Sequence, residues 1–159
     1  MNESDATRFM RRAIALGRRN MRARRGGPFG ALIVKDGVVI GQGANRVTST
    51  NDPTAHAEIL AIRNACRRLA TFDLSGAAIF ASCEPCPMCL GAILWARLGR
   101  LYYANDRAAA ASIGFDDEAF YREVALPPDR RALPTTRLLA EEGALTFVEW
   151  QSLPDKVPY

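Results

Sequence analysis

The chain has 159 residues and a mass of 17.4 kDa, and its net charge is +4. That length suffices for one globular domain with a substantial core and is too short for two ordinary domains. No apolar run approaches the roughly 20 residues that span a bilayer, so membrane insertion is not expected. The acidic N-terminal stretch lacks an apolar segment, so we expect no secretory signal and a cytoplasmic location.

The first predicted element is an amphipathic helix. Ser4 or Asp5 could cap it, and the run Gly26-Gly27-Pro28 is expected to end it. At about 100° per residue, one face is basic and the opposite face is apolar. The basic face holds Arg8, Arg11, Arg12, Arg18, Arg19 and Arg22, and the apolar face holds Phe9, Ala13, Ile14, Leu16 and Met21. Such a basic face is more often a solvated surface than a nucleic-acid site, and RNA binding stays open as an alternative.

Two β-rich runs follow between residues 28 and 45, and they meet at Asp36-Gly37, a strong signal for a hairpin. Residues 54–69 are predicted to form a helix. Its apolar residues recur at steps of three and four, as one buried stripe would. The predicted stripe is Ile59, Ile62, Cys66 and Leu69, which makes Cys66 a thiol of the core.

Strands and helices alternate in the second half of the chain. Residues 77–82 are predicted to form a buried strand, Cys86 to about Arg97 a helix, and residues 100–104 another strand. This alternation indicates a layered α/β fold, in which ligands bind beyond the carboxyl ends of the strands. Beyond residue 125 we expect a final strand and a final helix, although five prolines interrupt that stretch.

Three of the four cysteines lie within residues 83–89, which is a poor framework for disulfides and favours metal-binding or catalytic thiols. Cys86 and Cys89 would share the first turn of a helix, where the helix dipole stabilises thiolates. Together with His56, the only histidine, they could hold Zn²⁺ and leave its fourth position open, as catalytic zinc sites do. Glu58 could then carry protons as a general acid and base.

Two features of this interpretation depend on local geometry. His56 and Glu58 are two residues apart and would face away from each other in a regular helix, so the helix must start irregularly, which Pro53 favours. Cys83 could be a fourth ligand in a closed structural site, or belong to an iron–sulfur pattern that would need a cysteine at Ile93. We interpret Cys83 as a packed thiol beside the site.

The segments His56-Ala57-Glu58 and Pro85-Cys86-Pro87-Met88-Cys89 match the signature of the zinc-dependent nucleobase deaminases. Within that superfamily the chain resembles the bacterial guanine deaminases along nearly its whole length. The supporting stretches are GGPFGALIVKDG, NDPTAHAEILAIR, SCEPCPMCLGAILWAR, IGFDD at 113–117 and the terminal tyrosine.

The resemblance implies a three-layer αβα cytidine-deaminase-like fold with a mixed five-stranded sheet. It also implies a homodimer in which the C-terminal tail, about residues 140–159, is swapped and closes the partner's active site. Pro154 and Pro158 predict that this tail is less helical at its end than is usual in the family.

The resemblance further implies one Zn²⁺ per subunit, bound by His56, Cys86 and Cys89, with Glu58 as the catalytic residue. The substrate would be a purine. Carried onto matching positions, the substrate-binding residues are Phe29, Asn45, Ala57, Trp95, Asp117 and Tyr159 of the partner subunit. Phe29 and Trp95 would form apolar and aromatic walls, while Asn45 and Asp117 would hydrogen-bond the base.

The reaction that follows is hydrolytic deamination of guanine to xanthine and ammonia. Three alternatives stay open. A guanosine deaminase shares most of these motifs, and a tRNA adenosine deaminase shares the zinc signature and would use the basic helix. A non-catalytic zinc module that binds RNA or protein would have four protein ligands to the metal and no use for Glu58.

Overall fold

The computed structural model describes residues 2–159, in which four strands and seven α-helices form. The elements are α1 (Glu3–Arg22), β1 (Gly30–Lys35), β2 (Val38–Ala44), α2 (Val47–Thr50), α3 (Ala57–Leu69), β3 (Ala78–Cys83), α4 (Pro87–Trp95), β4 (Arg100–Asn105), α5 (Arg107–Ala111), α6 (Glu118–Ala125), a 3₁₀ turn (Pro128–Arg130) and α7 (Ala140–Ser152). The chain divides into a first unit, residues 2–121, and a second unit, Arg122–Tyr159.

The sheet of the first unit is mixed, with the strand order β2-β1-β3-β4. Strand β1 is antiparallel to both β2 and β3, whereas β3 and β4 are parallel. Alternate residues of β1 enter different cores: Ala31 and Ile33 pack with α3 and α4, and Leu32 and Val34 pack with α1. The first unit therefore has the predicted α/β architecture, with helices on both faces of the sheet.

The prediction of five strands is wrong for residues 2–159, where the sheet has four. The segment expected to hold a final strand contains Pro127, Pro128 and Pro134, which lack the N–H group that a ladder needs. It forms the 3₁₀ turn and irregular backbone instead. Leu139 then adopts a left-handed conformation with φ of 51°, immediately before α7.

The predicted hairpin is confirmed. Asp36 and Gly37 have φ angles of 49° and 75°, which is the pattern of a two-residue type I′ turn. Lys35 pairs with Val38 on either side of the turn, and the pairing of β1 with β2 continues to Gly30 and Ala44.

Helix α1 begins earlier than the sequence suggested. Its N-cap is Asn2, whose Oδ1 accepts a hydrogen bond from the backbone N–H of Asp5 at 2.8 Å, so the predicted caps Ser4 and Asp5 lie inside the helix. The helix ends at Arg22, before the Gly26-Gly27 pair, as expected.

The buried face of α1 is also rotated from the predicted one. Phe9 and Ala13 are buried as expected, but Ile14 and Met21 are exposed. Gly17 is buried instead, because it lies against the backbone at Gly30, where a side chain on Gly17 could not fit. This small residue lets the helix approach the sheet closely.

The buried stripe of α3 differs from the predicted one for a similar reason. Positions 59, 62 and 66 are only half-buried, and Leu69 is exposed, so the prediction of a fully buried stripe there is wrong. Cys66 lies at the edge of the core rather than within it. The buried positions are Ala57, Glu58, Ala61 and Ala65.

Two glycines of β2 explain that stripe. A Cβ atom on Gly41 would collide with the backbone carbonyl oxygen of Ala61, and one on Gly43 with that of Ala57. Helix α3 and strand β2 therefore approach so closely that only glycine and alanine fit between them. This contact places the N-terminus of α3 firmly beside the sheet.

The second unit consists of the end of α6, the 3₁₀ turn and α7, and none of its residues is buried. Helix α7 ends at Ser152, before Pro154, which agrees with the predicted effect of the late prolines. None of the helices within residues 2–159 is both long enough and apolar enough to cross a bilayer.

Candidate active site

Two helix N-termini carry the predicted metal ligands. His56 is the N-cap of α3 and Cys86 is the N-cap of α4, and both have extended backbone conformations. Because His56 precedes the first helical residue, it is not related to Glu58 by a regular helical step. Helix α3 therefore has the irregular start that lets His56 and Glu58 face the same site.

The three predicted ligands converge. The Nδ1 atom of His56 lies 3.6 Å from the Sγ atom of Cys86 and 3.4 Å from that of Cys89. A zinc ion about 2.3 Å from sulfur and about 2.0–2.1 Å from nitrogen, at tetrahedral angles, separates such atoms by about 3.6 Å. One nitrogen and two sulfurs at these separations fit Zn²⁺, and the set leaves one tetrahedral position for a further ligand.

Cys83 does not join these ligands. Of the histidine, cysteine and acidic residues described, the cluster that could hold a metal here contains His56, Cys86 and Cys89. Cys83 is buried at the end of β3 and its Sγ donates towards the carbonyl oxygen of Asp106 at 3.7 Å. Burial raises the pKa of the Cys83 thiol to about 11, so it stays protonated.

The Cys86 thiol is strongly acidified. Hydrogen bonds from Cys89 and from His56 lower its pKa to about 4 and outweigh the opposing effect of burial. In turn, the hydrogen bond to Cys86 raises the pKa of His56. The site therefore holds a thiolate at neutral pH, which is the form that binds metal.

Glu58 occupies the first turn of α3 and is buried, with only 7% of the residue exposed. Burial is the main cause of its raised pKa, since desolvation penalises the carboxylate. A raised pKa brings a carboxyl group closer to the pH at which it can both accept and release protons, which is what a general acid and base requires.

A cavity of about 410 Å³ is lined by His56, Cys86 and Glu58, whereas the third predicted ligand, Cys89, is fully buried beneath it. Its volume is in the range of small-molecule sites. Phe29 and Phe115 form one wall, with ring centroids 4.8 Å apart and ring planes at 86°. Ala57, which was predicted to contact the substrate, lines the cavity as well.

Asn45 lines the same cavity and its amide has a defined orientation. The Oδ1 atom accepts hydrogen bonds from the backbone N–H groups of Gly27 at 3.1 Å and Val47 at 3.3 Å. The amide oxygen is thus occupied by the protein, so the NH₂ group is the end that can serve a ligand. Asn45 presents a hydrogen-bond donor to the cavity.

Acidic residues also line the cavity, among them Glu84 and Asp117. The Glu84 carboxylate accepts a hydrogen bond from the backbone N–H of Arg107 at 3.1 Å. Asp117 is partly desolvated, which raises its pKa. The hydroxyl of Tyr121 donates to the carbonyl oxygen of Pro85 at 2.6 Å and so attaches α6 to the loop before the metal ligands.

The sequence model of the cytidine and deoxycytidylate deaminase zinc-binding region matches residues 3–105, which include the three ligands and Glu58. This chain belongs to that deaminase family. Both the family match and the ligand cluster confirm zinc as the predicted metal.

Single deaminases match different shares of this chain. The guanine deaminase of Bacillus subtilis (strain 168) is 46% identical over 151 residues, which are 95% of this chain and 97% of that protein. An X-ray structure of guanine deaminase from Bacillus subtilis matches with a TM-score of 0.94 at 45% identity and covers 100% of this chain and 99% of the other. A tRNA-specific adenosine deaminase of Agrobacterium fabrum (strain C58) is 51% identical over 76 residues, which are only 48% of this chain and 50% of that protein.

Two of the predicted substrate residues, Trp95 and Tyr159, are not tested by the geometry of this cavity. Trp95 is the last residue of α4, is two-thirds exposed and is not among the residues that line the cavity. Tyr159 belongs to the second unit and is exposed. The roles predicted for these two aromatic residues stay predictions.

Sequence reasoning missed several residues that the fold brings to the deaminase cavity. Phe115 lies within the stretch IGFDD that supported the resemblance, but no separate role was assigned to it. Glu84 and Arg107 form an ion pair at 4.0 Å, although they are far apart in the sequence. Their pairing depends on β3 and β4 running parallel, and no local pattern signals it.

Proposed function

We propose that this chain is a guanine deaminase that hydrolyses guanine to xanthine and ammonia. The observation that carries the proposal is the open cluster of His56, Cys86 and Cys89 beside the buried Glu58, in a chain similar to a guanine deaminase over 95% of its length. Three protein ligands leave room for a reacting water, whereas a structural zinc module would supply four.

His56, Cys86 and Cys89 would hold the zinc, which would supply Lewis acidity that activates water as a nucleophile. Glu58 would accept a proton from the attacking water and deliver protons to a ring nitrogen and to the departing amino group. One water is consumed, the carbon–nitrogen bond to the amino group breaks and ammonia leaves. The raised pKa of Glu58 suits both halves of this task.

The purine ring would lie against Phe29 and Phe115, whose edge-to-face packing gives the cavity a rigid apolar wall. Asn45 would donate from its amide NH₂ group to an acceptor on the base, such as a carbonyl oxygen or a ring nitrogen. Asp117 would accept from an N–H group of the base. Asn45 would thus supply a hydrogen-bond donor and Asp117 an acceptor. This pair matches guanine, whose edges carry both acceptors and N–H donors.

A homodimer with a swapped tail is the second part of this proposal. The second unit exposes apolar side chains that a single chain leaves in water, including Phe147, Val148 and Trp150 of α7. Exposed apolar surface of this extent is typical of protein interfaces. We infer that residues 140–159 pack on a second copy and that Tyr159 of the partner subunit closes the cavity.

Trp95 fits the same arrangement. It lies near Leu94, which is also exposed, on the end of α4. A partner that covers this end of α4 would turn Trp95 from an exposed side chain into part of an enclosed wall. Excluding water in this way would favour the selectivity of the reaction for one base.

The cytoplasm is the proposed location. All four cysteines are free, and two of them are the thiol ligands that zinc requires. A reducing compartment keeps such thiols available, whereas an oxidising one favours their oxidation.

The deciding experiment is ammonia release by the purified, zinc-loaded protein offered guanine, guanosine, adenine, cytosine and a tRNA anticodon stem-loop in parallel. The Glu58→Gln protein is the blank. We expect guanine to be the preferred substrate and the blank to be inactive. Turnover of guanosine or of the stem-loop alone would overturn the proposed substrate, and zinc binding without any turnover would favour the non-catalytic module.

Mixing two inactive proteins tests the swapped tail. Glu58→Gln chains keep an intact tail, and chains truncated after Leu139 keep an intact Glu58. If tails are exchanged, refolding the two together should restore about a quarter of the wild-type activity, because half of the dimers gain one complete site. Absence of any recovery, with mixed dimers present by native mass spectrometry, would contradict the exchange.

A further inference from the structure

A second and larger cavity lies at the edge of the sheet of the first unit. Its volume is about 770 Å³, and it is formed by the C-terminal part of α1, the edge strand β2, α2 and one side of α3. It shares no lining residue with the cavity over the metal ligands. The deaminase reaction gives it no role.

Three arginines line this second cavity, Arg19, Arg25 and Arg46. Within residues 2–159, no carboxylate lies close enough to form an ion pair with any of their guanidinium groups. Arg46 is partly buried as a residue, whereas Arg19 and Arg25 are exposed. Three guanidinium groups around one concave surface, none of them in an ion pair within the described residues, give that surface a positive potential that attracts anions.

One acidic residue, Asp52, also lines the cavity, but its carboxylate is already engaged. Its Oδ1 accepts hydrogen bonds from the backbone N–H of Thr54 at 2.8 Å and from the Thr54 hydroxyl at 2.6 Å. Those bonds lower the pKa of Asp52, and the guanidinium that contributes to this shift is Arg63, which lies outside the cavity. The net charge of the lining is therefore positive.

The rest of the lining suits an organic ligand better than a bare ion. Leu16 and Leu60 provide apolar surface, and Gln42 and Asn64 provide amide groups. The volume is well above what a single phosphate fills and lies in the usual range for ligands of drug or nucleotide size. Guanidinium groups bind phosphate oxygens in pairs with defined geometry.

We propose that this cavity is a second binding site, which takes a small phosphate-bearing molecule of nucleotide size. The phosphate lies among Arg19, Arg25 and Arg46, and the remainder of the ligand contacts the apolar and amide surface. The same guanidinium chemistry could attract the phosphates of RNA, so the test separates a small ligand from a polymer. The site does not depend on the proposed guanine deaminase activity.

The position of the cavity links it to the active site. Asn20 lines it and donates a hydrogen bond from Nδ2 to the backbone carbonyl oxygen of Asn45 at 2.7 Å, and the Asn45 side chain lines the cavity over the metal ligands. A ligand beside Asn20 would therefore be connected to the proposed purine site through the hydrogen bond between Asn20 and Asn45.

Isothermal titration of the full-length, zinc-loaded protein at low salt tests the proposal with four probes. These are uridine monophosphate, uridine, pyrophosphate and a single-stranded oligouridine RNA, none of which carries an amino group for the deaminase. We expect uridine monophosphate to bind at one site per chain and uridine to bind at least about tenfold more weakly, because hydrogen bonds between charged partners are the strong ones.

Two triple variants with the same net charge locate the site. The cavity variant is Arg19→Gln, Arg25→Gln and Arg46→Gln, and the surface variant is Arg11→Gln, Arg12→Gln and Arg18→Gln on the exposed side of α1. We expect the first to weaken binding of uridine monophosphate at least about tenfold and the second by less than about twofold. Should the cavity variant fail to fold by circular dichroism, Arg46→Gln alone replaces it.

Equal losses in the two variants would overturn the proposal, since they would indicate general charge attraction. Binding of the oligouridine without binding of either small phosphate would also overturn it and would favour an RNA surface. So would the absence of any binding of uridine monophosphate and pyrophosphate at about millimolar concentration.

Discussion

Asn20 and Asn45 form a buried hydrogen bond, in which the Asn20 Nδ2 donates to the backbone carbonyl oxygen of Asn45 at 2.7 Å. The same Nδ2 lies 3.5 Å from the carbonyl oxygen of Gly27, and the Gly27 N–H in turn donates to the Asn45 side chain. Asn20 therefore holds the two chain segments that orient the Asn45 amide, although it does not line the active-site cavity itself.

Replacing Asn20 by alanine should disturb this orientation. We expect Asn20→Ala to raise the KM for guanine several-fold with a smaller change in kcat, because the donor of Asn45 would shift. It should also lower the free energy of unfolding by about 1–3 kcal/mol, since buried acceptors lose their partner. The matched control is Asn64→Ala, which removes an exposed amide that donates to the carbonyl oxygen of Gln42. A loss of stability with KM unchanged would make Asn20 purely structural.

Glu58→Gln keeps the shape of the side chain and removes its ability to carry protons. We expect a fall in kcat of about 10²–10⁴, the usual contribution of a general acid and base. Zinc content measured by mass spectrometry should stay at the wild-type level, since Glu58 is not a ligand. The control is Glu84→Gln, in a carboxylate of the same cavity, and a comparable fall there would remove the special role of Glu58.

The buried thiol at the end of β3, Cys83, and the partly buried N-cap thiol of α4, Cys86, should differ in their effect on zinc. Cys86→Ser removes one of three ligands, so we expect zinc content per chain to fall far below one. Cys83→Ser changes a thiol that points to the carbonyl oxygen of Asp106, so zinc should be retained. Loss of zinc in both variants would indicate that Cys83 is also a zinc ligand.

The thiol pKa values predict which cysteine reacts first when metal is removed. Cys86, with a pKa of about 4, is a thiolate at about pH 6, whereas Cys83, with a pKa of about 11, is still a thiol. Iodoacetamide should therefore label Cys86 selectively in chelator-treated protein, and the rate should fall only as the pH drops towards 4. Peptide mass spectrometry measures this profile. A rate that rises mainly above about pH 8 would contradict the acidified thiol.

The close packing of β2 against α3 can be tested at one glycine. A Cβ atom on Gly43 would meet the backbone carbonyl oxygen of Ala57, so Gly43→Ala should lower the free energy of unfolding by about 1–3 kcal/mol. Gly91 lies in α4 with no heavy atom within 4 Å of its added Cβ. Gly91→Ala should be neutral or stabilise by up to about 1 kcal/mol, because alanine favours the helix. Chemical denaturation compares the two, and equal effects would argue against the close contact.

Much of the first unit could be predicted because its signals are local. The Asp36-Gly37 turn defines its own hairpin, and hydrophobic patterns predict the four strands and the helices α1, α3 and α4, whereas the short helices α2, α5 and α6 were not predicted. The buried faces of α1 and α3 could not be predicted in the same way. There, Gly17 and Gly43 allow close contacts between backbones, and contact between backbones does not depend on which neighbouring side chains are the most hydrophobic.

The deaminase family, the candidate metal ligands and Glu58 as the candidate general acid and base could all be predicted from the sequence by itself, because zinc binding demands particular residue types at particular spacings. The tertiary structure decided how those residues meet. It made His56 and Cys86 N-caps of two different helices and buried Glu58 beside them. It also brought Phe115 to Phe29 and gathered three arginines around a second cavity. These contacts depend on how segments distant in the sequence pack together, and the spacing of residues along the chain does not predict that packing.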